Sequence, residues 1–261
     1  RNQGAPEGAE VIDCTSKAVI PGLVDSRVFI GEPGAEHRET IGSASAAAAA
    51  GGVTTIITMP DTDPIIDDPA LVDFVLRRAR DTAVVRVHPM AALTKGQQGR
   101  EMTEFGLLKE AGAVAFTSGR HAVTNAQVMR RALTYARDFG ATVVHHPEDP
   151  DLVGTGVMNQ GTVSTLLGLP GVPAEAETIM LARDLRLARL SRGAYHAAQL
   201  STAESVELMR WAKGEGIAAT AAVSIAHVSL NENDIGAYRT FFKMAPPLRA
   251  ETDRLALVAG L

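Results

Sequence analysis

At 261 residues, 46% of them hydrophobic, the chain has material for one large α/β domain or two small ones. The formal net charge of −5 has no basic run to offset it, because Lys and Arg are scattered through stretches such as Leu76 to Arg80, and this argues against nucleic acid as a partner. No apolar stretch approaches the roughly 20 residues of a membrane-spanning helix, and a single cysteine, Cys14, excludes both a disulfide within the chain and a cysteine-built zinc site.

Cysteine usage predicts a reducing compartment, the cytoplasm. The start at Arg1, without methionine or an apolar leader, reads as a trimmed end with no signal peptide. Residues 1–19, with Glu10-Val11-Ile12-Asp13 leading toward Ala18-Val19-Ile20-Pro21-Gly22, read as the end of a small β unit. From residue 20 onward, apolar runs alternate with amphipathic stretches. Ala18 to Ile30 reads as a strand, followed by an Ala-rich helix from Thr40 to Ala50 that Gly51-Gly52 closes. Further strands are predicted at Thr54 to Met59, Val84 to Leu93, Ala113 to Thr117, Ala141 to His145, Ala194 to Leu200 and Ile217 to Ser229. Helices are predicted at Pro69 to Arg80, Met102 to Ala111, Asn125 to Phe139, Ala174 to Leu190 and Thr202 to Lys213.

Apolar strands separated by helices imply a parallel sheet covered on both faces. A doubly wound sheet would carry a glycine-rich phosphate turn after its first strand, and Gly31-Glu32-Pro33-Gly34 is not G-x-G-x-x-G. The α/β class is therefore read as a (β/α)₈ TIM barrel over residues 20–261. It is expected to be incomplete, lacking its last βα unit, because Leu261 falls within what reads as the seventh helix.

Pro21-Gly22-Leu23-Val24-Asp25, Glu32-Pro33-Gly34, Met59-Pro60-Asp61-Thr62, Lys109-Glu110-Ala111-Gly112, His146-Pro147-Glu148-Asp149, Ser201-Thr202-Ala203-Glu204 and Pro246-Pro247-Leu248-Arg249 occur in this order. Together they resemble the dihydroorotases of the metal-dependent amidohydrolase superfamily, over essentially the whole chain. The resemblance implies a zinc enzyme interconverting carbamoyl aspartate and dihydroorotate in pyrimidine biosynthesis, with imidazole and carboxylate ligands at the C-terminal strand ends.

Residue by residue, the implied site is degenerate. Where the family's first strand carries His-x-His and then a substrate-clamping Arg, this chain has Arg27, Phe29 and Gly31. Arg27 is a fixed cation and Phe29 has no lone pair. The bridging Asp of the fourth strand is Gly119, in Phe116-Thr117-Ser118-Gly119-Arg120, and the sixth-strand His is Gln199. Only His146 matches a ligand position. Two substrate-binding positions also differ: Asp61 replaces Asn in Met-Pro-Asn-Thr, and Ala245 replaces the Asn before Pro-Pro-Leu-Arg. The family's last carboxylate, an Asp on strand eight, lies beyond Leu261.

Plainer roles are expected for other candidates. His145, adjacent to His146 on a strand, points to the opposite side and packs against a helix. His196 and His227 read as packed or hydrogen-bonded residues on the sixth and seventh strands, Asp149 as a loop cap, and Trp211 as helix packing. Arg27 and Phe29 are expected to fill the metal pocket with a salt bridge and a hydrophobic plug.

The leading expectation is a non-catalytic dihydroorotase-like protein without a resident cofactor. It would be a structural partner of aspartate transcarbamoylase in a homo- or hetero-oligomer, a role the resemblance implies. One alternative is an active cyclic amidohydrolase with a reduced zinc site using His146, a strand-eight Asp and perhaps His227. Another is a small-molecule-binding barrel without turnover.

Overall fold

The computed structural model describes residues 6–261. In chain order it contains β1 (Leu23–Val28), α1 (Ile41–Ala50), β2 (Val53–Thr58), α2 (Pro69–Thr82), β3 (Arg86–Pro89), β4 (Ala91–Ala92), α3 (Phe105–Glu110), β5 (Phe116–Thr117), α4 (Ala126–Asp138) and β6 (Thr142–His145). There follow α5 (Pro150–Val153), β7 (Met158–Asn159), α6 (Thr162–Leu167), β8 (Gly171–Val172), α7 (Glu175–Ser191), β9 (Ala194–Ala197), α8 (Ala203–Gly214), β10 (Ala219–Ala221), α9 (Ile225–Ser229) and α10 (Glu251–Gly260). No helix among the described residues is long and apolar enough to cross a membrane.

Helix starts follow their sequence signals. Asp68 accepts the N–H of Ala70 ahead of Pro69, Asn125 accepts those of Gln127 and Val128, and Thr202 accepts that of Ser205. In α4 the buried residues are Val128, Met129, Ala132, Leu133 and Ala136, a single stripe of helical period.

All strand pairings are parallel, in the orders β1-β2-β3 and β4-β5-β6-β9-β10. The predicted strand Val84 to Leu93 is divided, with β3 hydrogen-bonded to β2 and β4 to β5. At the junction the Met90 N–H reaches Thr58 O, and the Ala91 N–H reaches Ala115 O. One segment therefore joins the two sheets into the wall of an α/β barrel of which the chain spans a portion. The wall is open between β1 and β10, where a cleft of about 500 Å³ is lined by Val24, Arg27, Gln199 and Val223.

Two hydrophobic layers result. The outer core packs strands against helices through Ile56, Val72, Met129, Leu133, Val143, Leu181, Leu185 and Tyr195. The barrel interior is filled by Met59, Met90, Ala115, Val144 and Ala198, with Phe29 and Ile57 against them.

Several expectations need correction. The run Ile217 to Ser229 is strand only over β10, because the Ser224 hydroxyl accepts the His227 N–H and starts α9, so His227 sits on a helix. Residues 6–19, expected to end a small β unit, contain no strand, and Val11, Ile12 and Val19 are exposed; residues 1–5 lie outside the described residues. The stretch from α5 to β8 carries a two-stranded ribbon, Met158↔Gly171 and Asn159↔Val172, that the apolar pattern did not announce.

Candidate functional site at the C-terminal strand ends

A parallel barrel gathers the residues at the C-terminal ends of its strands around one mouth. Arg27 lies near the end of β1, Asp61 in the loop after β2, Gly119 just after β5, His146 directly after β6 and Gln199 just after β9. The fold thus assembles positions far apart in the chain. Arg27 Nη1 donates to Gln199 Oε1 at 3.0 Å, and Nη2 donates to the Gly119 carbonyl at 3.2 Å. Burial pushes the Arg27 guanidinium below its ordinary range, opposed by the negative charge of Asp61 and reinforced by Arg120, with Glu148 also opposing. A guanidinium stays protonated regardless.

The expected salt bridge of Arg27 does not form among the described residues. Both of its terminal nitrogens are taken by neutral oxygens, while Asp61 Oδ1 accepts the Arg120 N–H at 3.2 Å. Gly119 has φ +65°, a conformation that favours glycine. A Cβ there would overlap both carboxylate oxygens of Asp61, so the Asp61 carboxylate fills the space where a side chain at 119 would begin. Gly31 is closed off similarly, since a Cβ would meet the Ala35 carbonyl. Phe29, half-buried, packs on the interior cluster, with the Arg120 guanidinium carbon 5.1 Å from its ring centre.

His146 is buried, and its Nε2 lies 3.1 Å from Glu148 Oε2. Buried polar atoms without a protein partner cluster at these strand ends: Arg27 Nε, Thr58 Oγ1, Asp61 Oδ2, Ser118 Oγ and His146 Nδ1. Among the described residues, no group of three or more His, Cys, Asp or Glu side chains is placed to hold a metal ion.

The other histidines sit elsewhere. His145 Nε2 accepts the Val123 N–H, so its proton is on Nδ1 and is donated to Asp184 on α7, 2.7 Å away, as its outward-facing parity required. His196 pairs with Thr220. His227 Nε2 faces the carbonyls of Pro246 and Pro247, leaving Nδ1 to Ser224 Oγ, and burial lowers its pKa. Asp149 caps α5, and Trp211 packs on the outer core beneath Arg186 and Arg189. Ala245 is exposed.

A sequence profile described as Dihydro-orotase-like matches residues 16–205. The chain belongs to the dihydroorotase-like family. It is 44% identical over 261 residues to a dihydroorotase of Pelobacter propionicus, covering 100% of this chain and 62% of that protein. A dihydroorotase of Pelotomaculum thermopropionicum is 46% identical over 254 residues, covering 97% of this chain and 59% of the relative. The chain therefore spans about three fifths of the length of these relatives. Among solved structures, an L-hydantoinase from Arthrobacter aurescens superposes with a TM-score of 0.82 at 21% identity, over 97% of this chain and 58% of that one. A D-hydantoinase from Thermus sp. gives 0.73 at 25% identity, covering 98% and 58%. The fold is the amidohydrolase TIM barrel, of which this dihydroorotase-like chain holds a portion.

The mouth is supported by a polar network that motif reading did not anticipate. Glu177 on α7, 2% exposed, accepts the backbone N–H of Ser201 and the hydroxyls of Ser201, Thr202 and Ser205. Arg249 donates to Ser201 Oγ at 3.1 Å, Asn159 Oδ1 at 3.0 Å and Val172 O at 2.6 Å, and Asn159 in turn donates to Glu232. One sequence signal existed: Glu177 and Asp184 share the helical stripe of Leu181 and Ala188, an apolar face where a carboxylate has to find internal partners.

Proposed function

We propose that this chain is part of a dihydroorotase-like protein of pyrimidine biosynthesis that does not itself hydrolyse a cyclic amide, and that its barrel serves as a structural partner of aspartate transcarbamoylase in the cytoplasm. The observation that carries the reading is the set of side chains at the mouth. Catalytic zinc takes about three protein ligands. At the positions where the family resemblance expects them stand Arg27, Phe29, Gly119 and Gln199, with His146 the one imidazole, and Gln199 Oε1 already accepts from Arg27. These residues do not fit a zinc ion, and the Arg27 charge opposes one. Meanwhile the portion of the barrel that the chain spans is well packed: both hydrophobic layers and the Glu177–Ser201–Arg249 network are formed. A packed barrel wall whose mouth lacks donors at these positions suits a scaffold.

The test is elemental analysis of the full-length purified protein together with a dihydroorotate hydrolysis assay in added zinc. The expected result is neither zinc nor turnover. Near-stoichiometric zinc with turnover abolished by His146→Ala would overturn the reading. Mixing with aspartate transcarbamoylase should give co-elution or altered carbamoyl transfer, and a chain indifferent to that enzyme sinks the partner role.

A second reading, a hydrolase with a reduced site, draws on the buried and unpartnered His146 Nδ1. His227 adds nothing to it, because both of its ring nitrogens are engaged.

A further inference from the structure

We propose that the Arg27 guanidinium is a resident cation that ties the strand ends together at the position where the family resemblance expects a metal. This rests on the reading that no zinc is held there and goes further, assigning a specific group to the job. The three positions that would have supplied a first-strand imidazole, a bridging carboxylate and a sixth-strand imidazole are now bonded to one another. Arg27 on β1 reaches Gln199 after β9 and the backbone of Gly119 after β5. An amide oxygen is a weak neutral metal ligand but a good acceptor for a guanidinium, so Gln199 suits the new cation better than the old one.

Charge is balanced as well. The Arg27 and Arg120 cations lie within electrostatic reach of Asp61 and Glu148, and Asp61 presents its carboxylate against Gly119, in the space a side chain at 119 would take. A carboxylate is thus still supplied beside the cation, from the loop after β2 instead of from β5. The planar fork of an arginine can satisfy two acceptors on different strands at once, which an ammonium cannot do with the same geometry. The substitutions at 27, 61, 119 and 199 then form one set: a long cation, a neutral acceptor for each of two nitrogens, and a glycine that makes room for the displaced carboxylate.

The experiment is chemical rescue. Removing the side chain with Arg27→Ala leaves Gln199 Oε1 and the Gly119 carbonyl facing a guanidinium-sized space. Thermal melts of the full-length Arg27→Ala protein are compared with wild type in guanidinium chloride up to about 10 mM, with sodium chloride and urea as controls. The expected melting temperature of the variant is lower by roughly 5–10 °C. Guanidinium, and neither control, recovers a substantial part of the loss in the variant and none in wild type, and Arg27→Lys recovers less than guanidinium does. Should Arg27→Ala fail to fold, Gln199→Glu replaces it: a carboxylate facing Arg27 raises the melting temperature if the guanidinium is the tie. Unchanged stability of Arg27→Ala, absence of rescue, full recovery by Arg27→Lys, or a melting temperature lowered by Gln199→Glu overturns the proposal. Zinc measured in the same wild-type sample separates the two failures, since zinc present sinks the functional reading, whereas zinc absent without rescue sinks only the role of Arg27.

Discussion

Replacing Arg249 with methionine removes a guanidinium that is 3% exposed and sits at the junction of three segments. Its Nε donates to Ser201 Oγ, and its Nη1 donates to Asn159 Oδ1 and Val172 O. Burial lowers its pKa, and the largest opposing influence is the buried charge of Glu177. The methionine restores most of the volume, so the cost is electrostatic: acceptors left without a donor and a buried carboxylate left without its countercharge. Leaving three buried acceptors without their donor costs about 3–5 kcal/mol. Against a total stability of about 5–15 kcal/mol this is a fifth or more, and it corresponds to a melting temperature lower by roughly 6–20 °C. Urea unfolding followed by far-UV circular dichroism and by Trp211 fluorescence measures it, with Trp211 reporting from α8 beside the network. Arg249→Lys keeps the charge near Glu177 and loses the fork, so it should recover about half of the loss. Adding Glu177→Gln to Arg249→Met should cost less than the sum of the single changes. A loss below about 1 kcal/mol for Arg249→Met, or additive behaviour of the pair, would refute the argument.

Gly119→Ala should destabilise by more than about 1 kcal/mol, because φ is positive and the new Cβ meets the Asp61 carboxylate. Asp61→Gly should suppress the steric part of that loss in the double variant, and an equal penalty with and without Asp61 would show that the two positions do not compete for space. Glu251, held by Arg254 and Asn231, has its pKa lowered from 4.5 to about 2. Its contribution to the start of α10 is therefore fully present above the ordinary carboxylate value and is lost as pH falls toward about 2. Carboxyl NMR titration of the protein and of Glu251→Gln checks this, and an Arg254→Ala background should bring the midpoint back toward the ordinary value.

Much of the architecture was legible because strand and helix periods are local properties. The alternation of apolar runs with capped amphipathic helices located the seven barrel segments, and the strand parity of His145 and His146 placed them on opposite sides. The reading failed where local hydrogen bonds competed with apolar patterning. Ser224 turned the end of a predicted strand into α9, and the ribbon of Met158–Asn159 with Gly171–Val172 is too short to show a period. At the site, the identities of Arg27, Phe29, Gly31, Asp61, Gly119, Gln199 and Ala245 could be read by position. What they do to one another could not.

The sequence by itself determined the family, the barrel class and the scarcity of metal-binding side chains at the implied ligand positions, because each of these depends on residue type and order. Only the tertiary structure decided that Arg27 meets Gln199 and Gly119 instead of a carboxylate, that Asp61 takes the space beside Gly119, and that Arg249 and Glu177 anchor the mouth. The physical reason is that these contacts join residues as many as 172 positions apart. Their choice of partner is set by which oxygens the converging strand ends leave within reach of a buried charge, and desolvation makes leaving that charge unpaired costly.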